Sequence, residues 1–382
     1  MKLFFYILRQ LLVAFLVSAA GMVFIAMPGV AVGAVHKLGG AGMASVLKLV
    51  PLMVAVFVPY VLPVALLLAL VSTYGRLSAQ NEWTAIRMSG VNPYRMLMPA
   101  VTLAVLAGCG VYGLNAEILP RIKKAQKTIQ LDELRQVLKN LARGKTDLSI
   151  KGFFLSSTYR DPDDHQTFYD CLVRVPVKGS PTPQTFYAKS VHFAFTETEM
   201  QVELRDSRGS QAGVVFDSIG SAKFVVSLDK LIENSEERDF SNARYLTSGD
   251  LLAAVDRIHF ERISVYCALL AIGATPKASF YKRWENTEAR LLYTWHQHWA
   301  NGFTCLMFVL VGVSTGLLLR KGTQLSALAV SVGFAMTYWI ASLRLGKQLA
   351  RDGVLEPWVG AWGPLLFFSL VGVWLTHRAL RE

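Results

Sequence analysis

Six stretches of the chain are apolar, free of interior carboxylates and long enough to cross a bilayer core, for which about 20 helical residues are needed. They run from Gln10 to Val35, Leu49 to Tyr74, Met96 to Ala116, Trp299 to Leu319, Gly322 to Leu343 and Pro357 to Thr376. Charges or turn residues bound each one, among them Arg9, Arg76, Arg95, Glu117, Arg320, Glu356 and Arg378. The first is too long for the apolar part of a cleaved leader and no small-residue cleavage site follows it, so it is expected to remain in the mature chain.

Between the third and fourth stretches the pattern changes. A polar helical run, Arg121 to Ala142, precedes segments of period-two alternation: Leu148 to Tyr159, Thr167 to Val177, Thr185 to Phe195, Met200 to Leu204, Gly213 to Phe216 and Lys223 to Leu228. Turn-forming clusters such as Asp161-Pro162-Asp163-Asp164 separate them, as in an antiparallel sheet. A helical return, Ser248 to Ile263, leads to the fourth span. The expected fold is an α-helical membrane protein with six transmembrane helices, three on each side of an inserted β-jellyroll or β-sandwich domain. The divisions are residues 1–118, 119–294 and 295–382, with a short helix near 79–90 between spans two and three.

Orientation follows from Lys and Arg in the short loops. With the N-terminus inside, Lys2, Arg9, Arg76, Arg87, Arg95, Arg320, Lys321, Arg378 and Arg381 are cytoplasmic, whereas Lys37, Lys48, Arg344, Lys347 and Arg351 are outside. Three crossings then place the insert on the opposite side of the membrane from the N-terminus. Charged residues are only 17% of the chain, well under the roughly 25% of soluble domains. The net charge is +12, from 39 Lys and Arg against 27 Asp and Glu.

Several chemistries lack their residues. No Gly-rich turn ends in Gly-Lys-Ser/Thr; the nearest fragment, Arg320-Lys321-Gly322-Thr323, has the wrong order to cradle phosphates. The chain is thus expected to be no enzyme and to bind no cofactor of its own. No carboxylate sits deep in a span, which argues against ion-driven transport. His296 and His298 are alternate residues, pointing to different helix faces, and read as interfacial polar groups rather than metal ligands. Cys171 and Cys267 fit either a disulfide or free thiols, whereas Cys109 and Cys305 lie within spans as small packing residues.

The loop after span two reads Asn81-Glu82-Trp83-Thr84-Ala85-Ile86-Arg87-Met88-Ser89-Gly90. Ser78 or Asn81 can cap a helix there, Glu82 suits its first turn, and Gly90 with Asn92-Pro93 can end it. Trp83, Ile86 and Arg87 have the spacing of one helix face. A plain membrane-surface turn is the alternative.

This segment resembles the coupling helix of the LptF/LptG permease family, membrane subunits of the lipopolysaccharide-export ABC transporter. Asn115-Ala116-Glu117-Ile118-Leu119-Pro120 resembles that family's exit from span three, and the order of three spans, insert and three spans matches throughout. The resemblance implies a cytoplasmic ABC ATPase dimer as partner, carrying ATP and Mg, with Glu82, Trp83, Ile86 and Arg87 seated in its groove. It also implies a second permease of the same type, periplasmic LptC/LptA-like β-jellyroll proteins, and lipopolysaccharide as the transported lipid. Lys37, Lys48, Arg344, Lys347 and Arg351 become candidates for binding anionic lipid headgroups; ordinary snorkelling is the alternative. Two rival functions are a mechanotransmitting ABC subunit that passes no lipid, and an envelope scaffold or receptor with a periplasmic binding domain.

Overall fold

The computed structural model describes residues 2–38, 43–141, 147–150, 153–160, 167–175, 184–195, 199–211, 214–227, 241–271, 278–318, 324–351 and 353–381. In chain order, α1 is Lys2–Leu38 and α2 is Met43–Ala79. The short α3, Glu82–Met88, and α4, Pro93–Gly113, follow. A π-helical turn, Leu114–Ile118, carries α4 directly into α5, Leu119–Leu141. Six strands come next: β1 Asp147–Ile150, β2 Phe153–Arg160, β3 Thr167–Val175, β4 Gln184–Phe195, β5 Glu199–Gln211 and β6 Val214–Ser227. The chain returns through α6, Ser241–Arg244, and α7, Ser248–Ala271. It ends with α8 Ala278–Leu318, α9 Gln324–Ile340, a second π-helical turn Ala341–Gly346, α10 Lys347–Arg351 and α11 Pro357–Arg381.

Six of these segments are long and apolar enough to cross a membrane, and they coincide with the six apolar runs. The protein is a multi-pass membrane protein. Compact units cut across the three sequence divisions. One unit comprises Met1–Val30, Leu52–Lys124 and Phe240–Glu382; the other comprises Ala31–Pro51 and Ala125–Asp239.

Within the helical unit, α8 is the axis. It is the most enclosed of the six candidate spans, and glycines let its neighbours approach. A Cβ on Gly108 of α4 would lie 2.7 Å from the Gly302 carbonyl oxygen of α8, and one on Gly302 would lie 3.0 Å from the Gly108 oxygen. Backbone therefore meets backbone where these helices cross, the small-residue packing that brings membrane helices together. Hydroxyls supply the polar links: Thr304 Oγ1 lies 2.8 Å from Tyr338 Oη, and Thr315 Oγ1 lies 2.9 Å from Ser331 Oγ, both between α8 and α9. On α11, Thr376 donates to the Leu310 carbonyl oxygen at 2.8 Å.

The second unit carries one antiparallel sheet in the order β1-β2-β3-β4-β5-β6. The expectation of a jellyroll or sandwich is met only as far as an antiparallel sheet: each described strand pairs with its sequence neighbour. Two strands also outrun their patterns. β5 continues to Gln211 and β6 joins what read as two segments, because ladder pairing holds the polar stretch Ser207–Gln211 against Val214–Ser218.

Irregularities line up across this sheet at one row. In β3, Tyr169 and Asp170 are both exposed between buried Phe168 and Cys171; in β5, Arg205 and Asp206 are both exposed between buried Leu204 and Ser207. β4 makes the same slip, with Lys189 exposed and Ser190 half-exposed between buried Ala188 and Val191. The pairings Cys171 with Ala188 and Ala188 with Ser207 align the three slips. Asp170 and Asp206 adopt φ values of 49° and 48°, a left-handed conformation that Asp tolerates better than most residues. Such irregularities increase twist and bend strands. The adjoining row is Ser157, Cys171, Ala188 and Ser207, all small and all buried.

Candidate functional site at the α2–α4 connection

α3 has seven residues, far fewer than the roughly 12–15 an isolated helix needs in water, so its neighbours must hold it. Asn81 is its N-cap at φ 59°, without a side-chain capping bond. Ser78 does not cap it either, since its hydroxyl faces the Leu317 carbonyl oxygen of α8 at 3.5 Å. The C-terminal end matches the sequence signals. Ser89 Oγ donates to the Ile86 oxygen at 2.7 Å, Gly90 turns at φ 80°, and Asn92 Oδ1 accepts from Tyr94 N at 2.9 Å to start α4.

The principal anchor is Trp83, only 4% exposed. Its ring meets Tyr74 of α2 edge-on, with centroids 6.2 Å apart and planes at 71°. Tyr74 is fully buried and donates to the Met96 carbonyl oxygen of α4 at 2.7 Å. The same apolar cluster takes in Ile7 and Leu11 of α1, Leu317 of α8 and Leu380 of α11, with Ile86 packed against it. Helices α1, α2, α4, α8 and α11 thus contribute to the seat of α3.

Along the face shared by Trp83, Ile86 and Arg87 the exposure differs, with Trp83 buried and Ile86 and Arg87 half-buried. Trp83 points into the bundle because its large apolar ring finds an apolar cluster there. Glu82 and Arg87 are half-buried, and the outward surface belongs to Ala85, Met88 and Ser89. Met88 is 82% exposed, an unusual position for an apolar side chain and one suited to an adaptable contact surface. Tyr74, Ser78, Met96 and Met88 carry no periodic signal that would have picked them out in the sequence.

The family model described as "Lipopolysaccharide export system permease LptF/LptG" matches residues 5–378. The chain belongs to the LptF/LptG family. No curated protein matches it. As an LptF/LptG permease it is a transport subunit of the lipopolysaccharide export system rather than an enzyme.

The cationic residues of this permease are spread among separate elements. Lys37 is near the end of α1 and Lys48 is exposed near the start of α2. Arg344 is exposed on the π-helical turn, Lys347 is half-buried at the start of α10, and Arg351 ends α10. The side chains of Lys37 and Arg351 lie outside the described residues. The wider π-helical turn changes the angular spacing, so Arg344 and Lys347 differ in exposure instead of sharing one face equally. That turn packs on α11 at Gly346, where an added Cβ would overlap the Gly360 carbonyl oxygen.

His296 and His298 have different partners, consistent with different faces. Trp362 Nε1 donates to His296 Nδ1 at 3.4 Å, whereas His298 Nδ1 is 2.9 Å from Ser248 Oγ of α7. Cys171 is a buried free thiol and Cys267 an exposed one.

Proposed function

We propose that the chain is the membrane half of an ATP-driven exporter that withdraws lipopolysaccharide or a related glycolipid from the inner membrane. The observation that supports this reading is α3: a helix too short to stand alone, wedged by Trp83 against the ends of five longer helices, in a chain belonging to the lipopolysaccharide export permeases. A cytoplasmic ABC ATPase dimer would grip α3 through Glu82, Arg87 and Met88, while Trp83 and Ile86 pass the displacement inward. A second LptF/LptG-type permease would complete the cavity. Closure on ATP binding would shift the population toward a narrowed cavity through differential binding of the two states.

The sheet-bearing insert would lie in the periplasm and extend into LptC/LptA-like domains by edge-strand pairing, the mode in which a strand adds to an open sheet. Lys37, Lys48, Arg344, Lys347 and Arg351 would meet the anionic headgroup where it enters.

The test is co-purification of the permease with its ATPase partner. Loss of the complex in Glu82→Ala supports the reading; a wild-type permease that retains no ATPase would move the function to a scaffold that needs no ATP. Arg344→Glu with Lys347→Glu should reduce crosslinking to lipopolysaccharide, and unchanged crosslinking would return these residues to plain snorkelling.

A further inference from the structure

Within the helical unit, α8 runs from the seat of α3 to its contacts with α7. α8 has 41 residues, which at 1.5 Å per residue is about 60 Å, twice a bilayer core of about 30 Å. Both ends are held by groups other than lipid-facing apolar side chains.

At the α3 end, the grip is backbone against backbone. A Cβ on Gly316 would stand 3.0 Å from Gly75 N and 3.2 Å from the Val71 oxygen of α2. One turn further, Ser78 faces the Leu317 oxygen, and Leu317 lies in the cluster that holds Trp83. The seat of α3 and the end of α8 thus share one apolar cluster.

At the opposite end, α7 holds α8 by polar contacts. Glu288 Oε1 accepts from His259 Nε2 at 2.6 Å and Glu288 Oε2 lies 3.5 Å from Arg262 Nη1. Ser248 meets His298, and Leu251 packs on Leu291. Glu288 lies 29 residues before Leu317, about 44 Å along the axis. Between the two grips the helix is continuous, with no π-helical turn like those that interrupt the paths of α4 and α9.

We propose that α8 is the transmission shaft of the permease: it carries the displacement of α3 across the membrane to α7, with Ser78, Gly316, Glu288, Ser248 and His298 as positioning residues. A continuous hydrogen-bonded helix transmits axial displacement, while the helices with wide turns yield at those turns. The proposal rests on the coupling reading of α3.

The experiment uses the assembled permease and ATPase complex in lipid nanodiscs, with hydrogen exchange followed by mass spectrometry in the nucleotide-free and vanadate-trapped states. In the wild type, peptides of α3 and of α7 both change protection on trapping. In Ser248→Ala with Glu288→Gln, the α3 response persists while the α7 response falls by about twofold to thirtyfold, the scale on which contacts along a coupled network act. Glu288→Gln alone keeps an acceptor for His259 and gives an intermediate loss. Unchanged exchange in α4 excludes a global folding defect. An α7 response that survives the double substitution at full size overturns the shaft, as does an α7 that never responds while α3 does. If α3 itself fails to respond to trapping, the coupling reading fails and the shaft falls with it.

Discussion

Trp83→Ala tests whether α3 is held by one aromatic wedge. Truncation of a well-buried Trp costs about 3–5 kcal/mol, and Trp83, 4% exposed and edge-on to Tyr74 at 6.2 Å, meets that description. The helix has seven residues and no side-chain N-cap, so it has little intrinsic stability to offset the loss. At about 1.4 kcal/mol per factor of ten, the lower figure corresponds to about a hundredfold rise in the undocked population of α3. Hydrogen exchange in nanodiscs reads this directly: peptides covering 82–90 should exchange about a hundredfold faster in Trp83→Ala, while α8 peptides keep their wild-type protection. Trp83→Phe retains a ring against Tyr74 and should recover most of the protection. Equal protection of 82–90 in wild type and Trp83→Ala would refute the wedge, and the seating of α3 would then have to come from Ile86 and the chain ends.

Three other outcomes follow from the packing. Gly108→Ala sets a Cβ against the Gly302 oxygen at 2.7 Å and should destabilise the α4–α8 crossing by about 1–3 kcal/mol, the usual range for overpacking, seen as a lower thermal midpoint in nanodiscs. Asp206→Gly relieves a left-handed residue and should leave the sheet intact or slightly firmer, whereas Asp206→Val should lower its stability by about 1–2 kcal/mol in a denaturation series. Burial, then the neighbouring Asp170 carboxylate, pushes the Cys171 thiol up to about 12. The raised value keeps the reactive thiolate scarce below that pH, so maleimide at pH 8 should label exposed Cys267 in the folded protein and Cys171 only after denaturation.

The aligned slips in the sheet show where the sequence stops being legible. Alternation marked β3 and β4 because a half-buried strand must alternate. It did not mark the aligned row, because Tyr169-Asp170, Lys189-Ser190 and Arg205-Asp206 look like isolated slips until register sets them side by side. The extensions of β5 and β6 were hidden for the same reason, since their polar residues are held by ladder partners rather than by their own pattern.

By itself the chain determined the six spans, the antiparallel insert, the short helix after span two and the family. Each is a property of local periodicity or of a contiguous motif, and the cost of placing polar backbone in lipid leaves long apolar runs few other forms. Tertiary structure alone decided which face of α3 looks outward. Spacing put Trp83, Ile86 and Arg87 together, but the direction of that face depends on whether an apolar cluster waits beside it, and here residues from α1, α2, α4, α8 and α11 supply one. It also decided the central place of α8, because close approaches such as Gly108 with Gly302 and Gly75 with Gly316 join residues far apart in the chain.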